Sequence, residues 1–166
     1  TAQEFYERGI KNAYIEDPIM ADASPYTQLV DAYMAQESPV AYVNVDPMGD
    51  GPNWESTTKI GVKWNEADDK ETKLEKIITQ KYIALFPLST EAWAELRRTG
   101  YPKLFPVLNT DDGDGSIEQG GMIRRIPWVP TDPIAISMVE ASGVPALGGP
   151  DEQATRLWWD VDAPNF

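Results

Sequence analysis

Trp54 stands beside Asp50, Asn53 and Glu55 in a stretch rich in proline and glycine, with no apolar periodicity around it. An indole in such a setting can stack on the C–H face of a sugar ring, while Asp50 and Asn53 offer hydrogen bonds to its hydroxyls. Trp54, Asn53 and Asp50 are therefore the ligand-binding candidates, set against the plainer reading of a loop tryptophan with solvated neighbours. A second group, Asp111-Asp112-Gly113-Asp114-Gly115-Ser116-Ile117, has part of the pattern of a calcium loop. Aligned on Gly115 and Ile117, it supplies Asp112 and Asp114 as metal ligands, but Thr110 takes the first ligand position and Gly121 the closing bidentate one. That excludes an EF-hand. Asp112 and Asp114 remain candidates for a weaker oxygen-ligated cation, with a solvated acidic turn as the default.

The chain has no histidine and no cysteine. Disulfides, Cys/His zinc sites, thiol nucleophiles and Ser-His-Asp triads are all excluded at once. Chemistry would have to rest on carboxylates, Tyr, Lys or a metal held by oxygen. Twenty-seven acidic residues leave a glycoside hydrolase with a carboxylate pair open, because the required separation of ~5–9.5 Å is spatial. No local catalytic signature supports it, so no catalytic residue and no cofactor is assigned. A formal charge of −13 repels phosphate backbones and argues against nucleic acid, while neutral ligands and cations stay open. No apolar run approaches the ~20 residues that cross a bilayer.

The elements that must position these residues are helical. Residues 2–16 suit a helix with Phe5, Tyr6, Ile10, Ala13 and Tyr14 on its apolar side. Ser24-Pro25 reads as an N-cap followed by proline at the first helical position, and Tyr26, Leu29, Val30, Tyr33 and Met34 continue one buried face to a stop at Pro39. Residues 38–58 read as a long loop with one short strand at 40–45. A third helix carries the stripe Leu74, Ile77, Ile78, Tyr82, Leu85 and Phe86, with Lys73, Glu75, Lys76 and Gln80 outside it. Ser89 then reads as the N-cap of a fourth helix, with Leu88 stapled to Trp93, Arg97-Arg98 in its last turn and Gly100 at its end. So short a connection makes helices three and four a helical hairpin.

From 101 to 166 only residues 131–141, begun by Thr131, read as helix. A tail that irregular is uncommon in an isolated domain, where loops beyond ~12–15 residues are rare. The expectation is that it packs on a scaffold largely outside this chain. Thr1-Ala2-Gln3-Glu4 reads as the inside of a helix, consistent with a chain that begins mid-fold. No repeat of fixed period is present, although 2–37 and 71–99 could each be one helix–turn–helix unit.

The run Ile77-Ile78-Thr79-Gln80-Lys81-Tyr82-Ile83-Ala84-Leu85-Phe86-Pro87, followed by Glu91-Ala92-Trp93-Ala94-Glu95-Leu96-Arg97-Arg98-Thr99-Gly100-Tyr101-Pro102, resembles the SusD/RagB family. Ile123-Arg124-Arg125-Ile126-Pro127-Trp128, the closing Arg156-Leu157-Trp158-Trp159-Asp160 and, more loosely, Phe5-Tyr6-Glu7-Arg8-Gly9-Ile10 extend the likeness in family order. The resemblance implies a mainly α fold of tetratricopeptide-like helical hairpins, with the long loop-rich C-terminal segment packed on the helical scaffold. It implies that residues 1–166 are the C-terminal part of a single SusD-like domain whose N-terminal part lies outside the chain. It further implies a non-catalytic, lipid-anchored protein of the outer-membrane surface. Such a protein captures oligosaccharides, or in some branches peptides, for a SusC-like TonB-dependent outer-membrane transporter. No family ligand residue transfers onto a matching motif here.

The remaining conspicuous residues read as structure. Trp93 and Tyr82 belong to helical core faces, and Arg97 and Arg98 to a helix C-terminus that caps carbonyls or pairs with acids. Arg124 and Arg125 point to opposite sides of an extended segment, one toward a buried carboxylate. Trp158 and Trp159 cannot share a face, so one anchors the tail. A purely structural module that docks the transporter without touching ligand is the third reading of the chain, beside glycan capture and hydrolysis.

Overall fold

The structure is a computed structural model describing residues 1–16, 24–49, 54–107, 111–118 and 120–166. It is mainly helical: α1 (Ala2–Glu16), α2 (Ser24–Met34), a two-stranded antiparallel ribbon of β1 (Val43–Asn44) and β2 (Trp54–Glu55), α3 (Lys70–Ala84), α4 (Ser89–Thr99), α5 (Pro133–Met138) and α6 (Val144–Leu147). Two compact units are present, one of Thr1–Phe105 with Asn165–Phe166 and one of Pro106–Pro164.

The core of the first unit joins Tyr6 and Ile10 of α1, one turn apart, to Val30 of α2 and to Trp64, with Tyr14, Tyr33, Met34 and Val62 against them. The Tyr6 ring lies 5.2 Å from that of Trp64, and its hydroxyl donates to the Val62 carbonyl at 2.7 Å. Burial pushes the Tyr6 phenol far above its ordinary pKa. Phe5, expected on the buried side of α1, is exposed and stacks under the Arg8 guanidinium instead. The Ser24 cap lies at a position whose side chain falls outside the described residues.

Helix α3 begins at Asp69, whose carboxylate accepts the Thr72 N–H at 2.7 Å. Its stripe is only partly covered. Ile78 is buried, whereas Ile77, Tyr82 and Phe86 are exposed, Phe86 to 88%. Lys76, expected outside, is buried at 6%. Residues 62–68 cross that side of the helix, and Lys76 Nζ reaches Asp68 Oδ2 at 2.6 Å and the Lys63 carbonyl at 2.7 Å. The ammonium is thus buried with a counter-charge and a carbonyl, the condition under which a charge tolerates desolvation.

Four residues, Leu85–Leu88, connect α3 to α4, and Lys81 ties the pair by ion pairs to Glu91 at 2.9 Å and Glu95 at 3.0 Å. Leu88 occupies the N-cap position without a side-chain bond, so Ser89 is the first helical residue and not the cap. The neighbour found for Trp93 is the Arg97 guanidinium, 3.6 Å above its ring, and Arg98 pairs with Glu95 at 2.6 Å. Gly100 ends the helix at φ 72°, its N–H bonding the Leu96 carbonyl.

The second unit contains little apolar core; Ile117, Arg125 and Asp160 are its buried large side chains among the described residues. Asp132, not Thr131, caps α5 by accepting the Ala135 N–H at 2.9 Å, and Pro133 takes the first turn. A π-helical turn (Val139–Gly143) continues into α6. Polar links hold the rest. Asp160 receives Arg124 at 3.1 Å and Arg156 at 2.7 Å, Asp151 pairs with Arg125, and the Arg125 guanidinium lies 4.5 Å over the Trp128 ring. Both arginines of the Arg124-Arg125 pair therefore hold carboxylates, where one was expected. Trp159 is partly buried and Trp158 is 90% exposed.

Candidate functional site

The candidate site is built on the ribbon. Backbone pairing opposes Val43 to Glu55 and Asn44 to Trp54, and the Ser56 N–H extends the ladder to the Tyr42 carbonyl at 2.9 Å. The strand expected at 40–45 is β1; its partner β2, inside the expected loop, is what gives the Trp54 backbone a fixed place. Asp50 and Asn53, proposed beside Trp54, lie outside the described residues. The ribbon is tied down further along, where the Thr57 hydroxyl donates to the Lys103 carbonyl at 2.6 Å. Nearby, Tyr42 and Phe105 meet edge to face with centroids 6.0 Å apart, both substantially exposed.

Two clefts flank this segment. One, about 200 Å³, lies between the end of α2, the middle of α3 and residues 56–62. Within its lining, the Tyr33 hydroxyl donates to Gln80 Oε1 at 3.0 Å, and Thr79 Oγ1 is buried with no partner among the described residues. Burial raises the Tyr33 phenol above its ordinary value, so it stays a neutral donor. Lys76 also lines this cleft, its charge already met by Asp68. The other cleft, about 230 Å³, runs along Pro39–Val43 and Glu55–Lys59, with Tyr42 in its wall. Lys59 Nζ there is bonded to the Ser56 carbonyl at 3.0 Å. Such a surface, apolar walls with dispersed hydroxyls and a tyrosine, suits an uncharged ligand rich in hydroxyl groups.

Asp112 and Asp114 lie in the other unit, in a turn whose oxygens serve the backbone. Asp112 Oδ2 accepts the Ile117 N–H at 2.7 Å, and Asp114 accepts the N–H groups of Ser116 at 3.0 Å and Gln153 at 2.9 Å. The Gln153 side chain donates to the Asp112 carbonyl, and the Gln153 carbonyl receives the N–H groups of Arg124 and Arg125. Those bonds hold the Asp114 carboxyl below its usual pKa, first through Ser116. The observed role is an anchor for residues 151–155. Tyr42 and Thr79 escaped the sequence reading, which placed Tyr33 on the buried face of α2 and not at a site. The short strand read at 40–45 did not say what lay opposite, and Thr79 looked like any polar residue beside a helical stripe.

A family model described as SusD-like, the SusD and RagB outer-membrane lipoproteins, matches residues 1–160. Among solved structures, a chitin-binding SusD homologue from Flavobacterium johnsoniae is 43% identical over 100% of this chain, with a TM-score of 0.83. A SusD homologue from Bacteroides uniformis is 39% identical over 98% of it at 0.76, and one from Bacteroides thetaiotaomicron 34% identical over 96% at 0.77. The chain spans about a third of each relative, 33%, 32% and 33% of their lengths. No curated protein matches it.

Proposed function

Because the chain belongs to the SusD-like family of outer-membrane lipoproteins, we propose that it forms the C-terminal part of a cell-surface protein that captures oligosaccharides without cleaving them. The observation that carries this reading is the 43% identity, across the whole chain, to a chitin-binding SusD homologue. β-1,4-linked N-acetylglucosamine oligomers are accordingly the first ligands to test. The ribbon supports the reading, since the residue after Trp54, Glu55, lies in the wall of a cleft that also carries Tyr42, Ser56 and Thr58. Asp50, Asn53 and Trp54 are proposed as the contacts of the adjoining loop. The protein is proposed to sit lipid-anchored on the outer membrane and to pass its ligand to a SusC-like TonB-dependent transporter.

Calorimetric titration of the full-length protein with chitin oligomers should give saturable binding and unchanged oligomer length. Trp54→Ala should weaken that binding about 2- to 10-fold, the equivalent of ~0.5–1.5 kcal/mol for one aromatic stacking contact. Release of new reducing ends would sink the capture reading. An unchanged affinity in the variant would remove Trp54 from the site. Co-purification with a transporter from the native membrane tests the partner separately.

A further inference from the structure

We infer that the apolar tip of the α3–α4 hairpin is an internal docking face, covered in the whole protein by the part of the same polypeptide that precedes residue 1. This rests on one element of the capture reading, that the chain is the C-terminal part of a longer protein, and adds which surface joins the two parts. From Tyr82 to Leu88 the sequence runs Tyr-Ile-Ala-Leu-Phe-Pro-Leu without a charged side chain, in a chain where charged residues make up 25%. Tyr82 and Ile83 lie in the last turn of α3. The Phe86 N–H bonds the Ile83 carbonyl at 3.3 Å, so the turn continues and carries Phe86 to the same side. Exposure rises toward the tip, from 36% at Tyr82 and 54% at Ile83 to 88% at Phe86, with Leu88 at 63%. Single apolar residues on a surface are ordinary, but four in one turn and its connector form a patch of the kind that marks a contact.

The occupant follows from size and chemistry. Burial along α3 ends at Ile78, whereas residues 82–84 and 86–91 are all exposed, so among the described residues nothing covers this end of the hairpin. Solved relatives match the chain over 100% and 98% of its length, yet the match spans only 33% and 32% of theirs. A polypeptide of that length has a remainder about twice the size of this chain to pack against it. A separate molecule loses translational and rotational freedom on docking, and a stable interface between molecules uses about 20–30 residues a side. Four side chains fall far short of that. A segment of the same polypeptide is spared most of that loss, so a patch this small is sufficient. Charge points the same way. The nearest ammonium, Lys81, is already engaged by Glu91 and Glu95, which leaves the tip no ion pair with which to orient a second copy or a transporter.

The test uses the full-length protein with the photo-crosslinking residue p-benzoylphenylalanine in place of Phe86 and, separately, of Leu88. Each is irradiated as a dilute monomer and in native membranes. Peptide mapping should place the cross-links, in both samples, within the polypeptide that precedes this chain. Cross-links confined to residues 1–166, to a second copy or to a transporter, or no cross-link at all, would overturn the inference. Thermal unfolding gives a readout without the bulky probe. Trimming a ring that stays 88% exposed would leave the midpoint within about 1 °C, whereas trimming a covered one removes buried area and opens a cavity. Phe86→Ala should therefore lower the midpoint of the full-length protein by at least about 3 °C, and an unchanged midpoint would count against the docking face. Titration with chitin oligomers keeps the two readings apart. Wild-type binding with no cross-link to the preceding polypeptide would remove the docking face and leave capture standing; the expected cross-links without binding would do the reverse.

Discussion

Asp160→Asn keeps the shape of the side chain and removes the charge at the most enclosed position in the second unit. Asp160 is 2% exposed; its carboxylate receives Arg156 Nη1 at 2.7 Å and Arg124 Nη1 at 3.1 Å. At an effective dielectric of ~20, each unit-charge pair at about 4 Å is worth ~4 kcal/mol before desolvation is counted. Removing one partner of a buried pair typically costs ~3–5 kcal/mol, because the other is left uncompensated. Here the arginine side chains retain 21% and 33% of their exposure, so each recovers some hydration. Arg156 also keeps Asp162, at 3.1 Å. The expected loss is therefore at the low end, about 3 kcal/mol. With urea m-values of ~1–3 kcal/mol/M, the midpoint would fall by roughly 1–3 M. The control is Asp162→Asn, which removes a carboxylate 87% exposed and should change stability by less than ~0.5 kcal/mol. Salt at ~1 M should erase what little Asp162 contributes and leave the Asp160 loss nearly intact. A loss below ~1 kcal/mol for Asp160→Asn, or equal losses for the two variants, would refute the claim that this carboxylate organises the unit.

Two further outcomes concern the first unit. A Cβ on Gly61 would run into the Glu37 carbonyl and lie 2.6 Å from the Gln36 oxygen that bonds the Lys63 N–H. Gly61→Ala should therefore cost about 1–3 kcal/mol in denaturant unfolding, and a variant as stable as the wild type would show that the backbones do not approach so closely. Tyr101 donates to Glu71 at 2.9 Å, and desolvation, with Glu71 second, pushes its phenol from 10.0 to about 12. A raised folded value means the stabilisation is complete below pH ~10 and is lost as pH climbs through about 12. Glu71 is the opposite case, held below its ordinary value chiefly by the Asn165 side chain, so its contribution is present above pH ~4.5 and fades as pH falls below it. Ultraviolet titration should show late-ionising phenols, Tyr6, Tyr33 and Tyr101 among them, and one fewer in Tyr101→Phe; a wild-type spectrum with every described tyrosine ionising near 10 would contradict the burial.

How far the chain could be read depended on how local each feature is. Helices α1, α3 and α4 were legible because their periodic faces, the terminal Gly100 and the proline after it act within a few residues. The same periodicity placed Lys76 on an outer face. It could not know that residues 62–68 would lie across that side and supply Asp68. For the same reason the stripe promised more burial than Tyr82, Ile77 and Phe86 receive. In the acidic turn the local pattern suggested a cation; three carboxylate oxygens there accept backbone amides, including that of Gln153, 39 residues away.

Composition and local motif alone determined the helical class, the absence of thiol and imidazole chemistry, the repulsion of anions and the family. All of these depend on residue type or on spacings of a few residues. Tertiary structure alone decided which carboxylate each arginine holds, since Arg124 and Asp160 are 36 residues apart. It also decided that residue 54 pairs with residue 44, and that Thr79, in the wall of a cleft, has its hydroxyl buried with no partner among the described residues. Those outcomes depend on the path of the chain between the partners, and no periodicity in the sequence encodes that path.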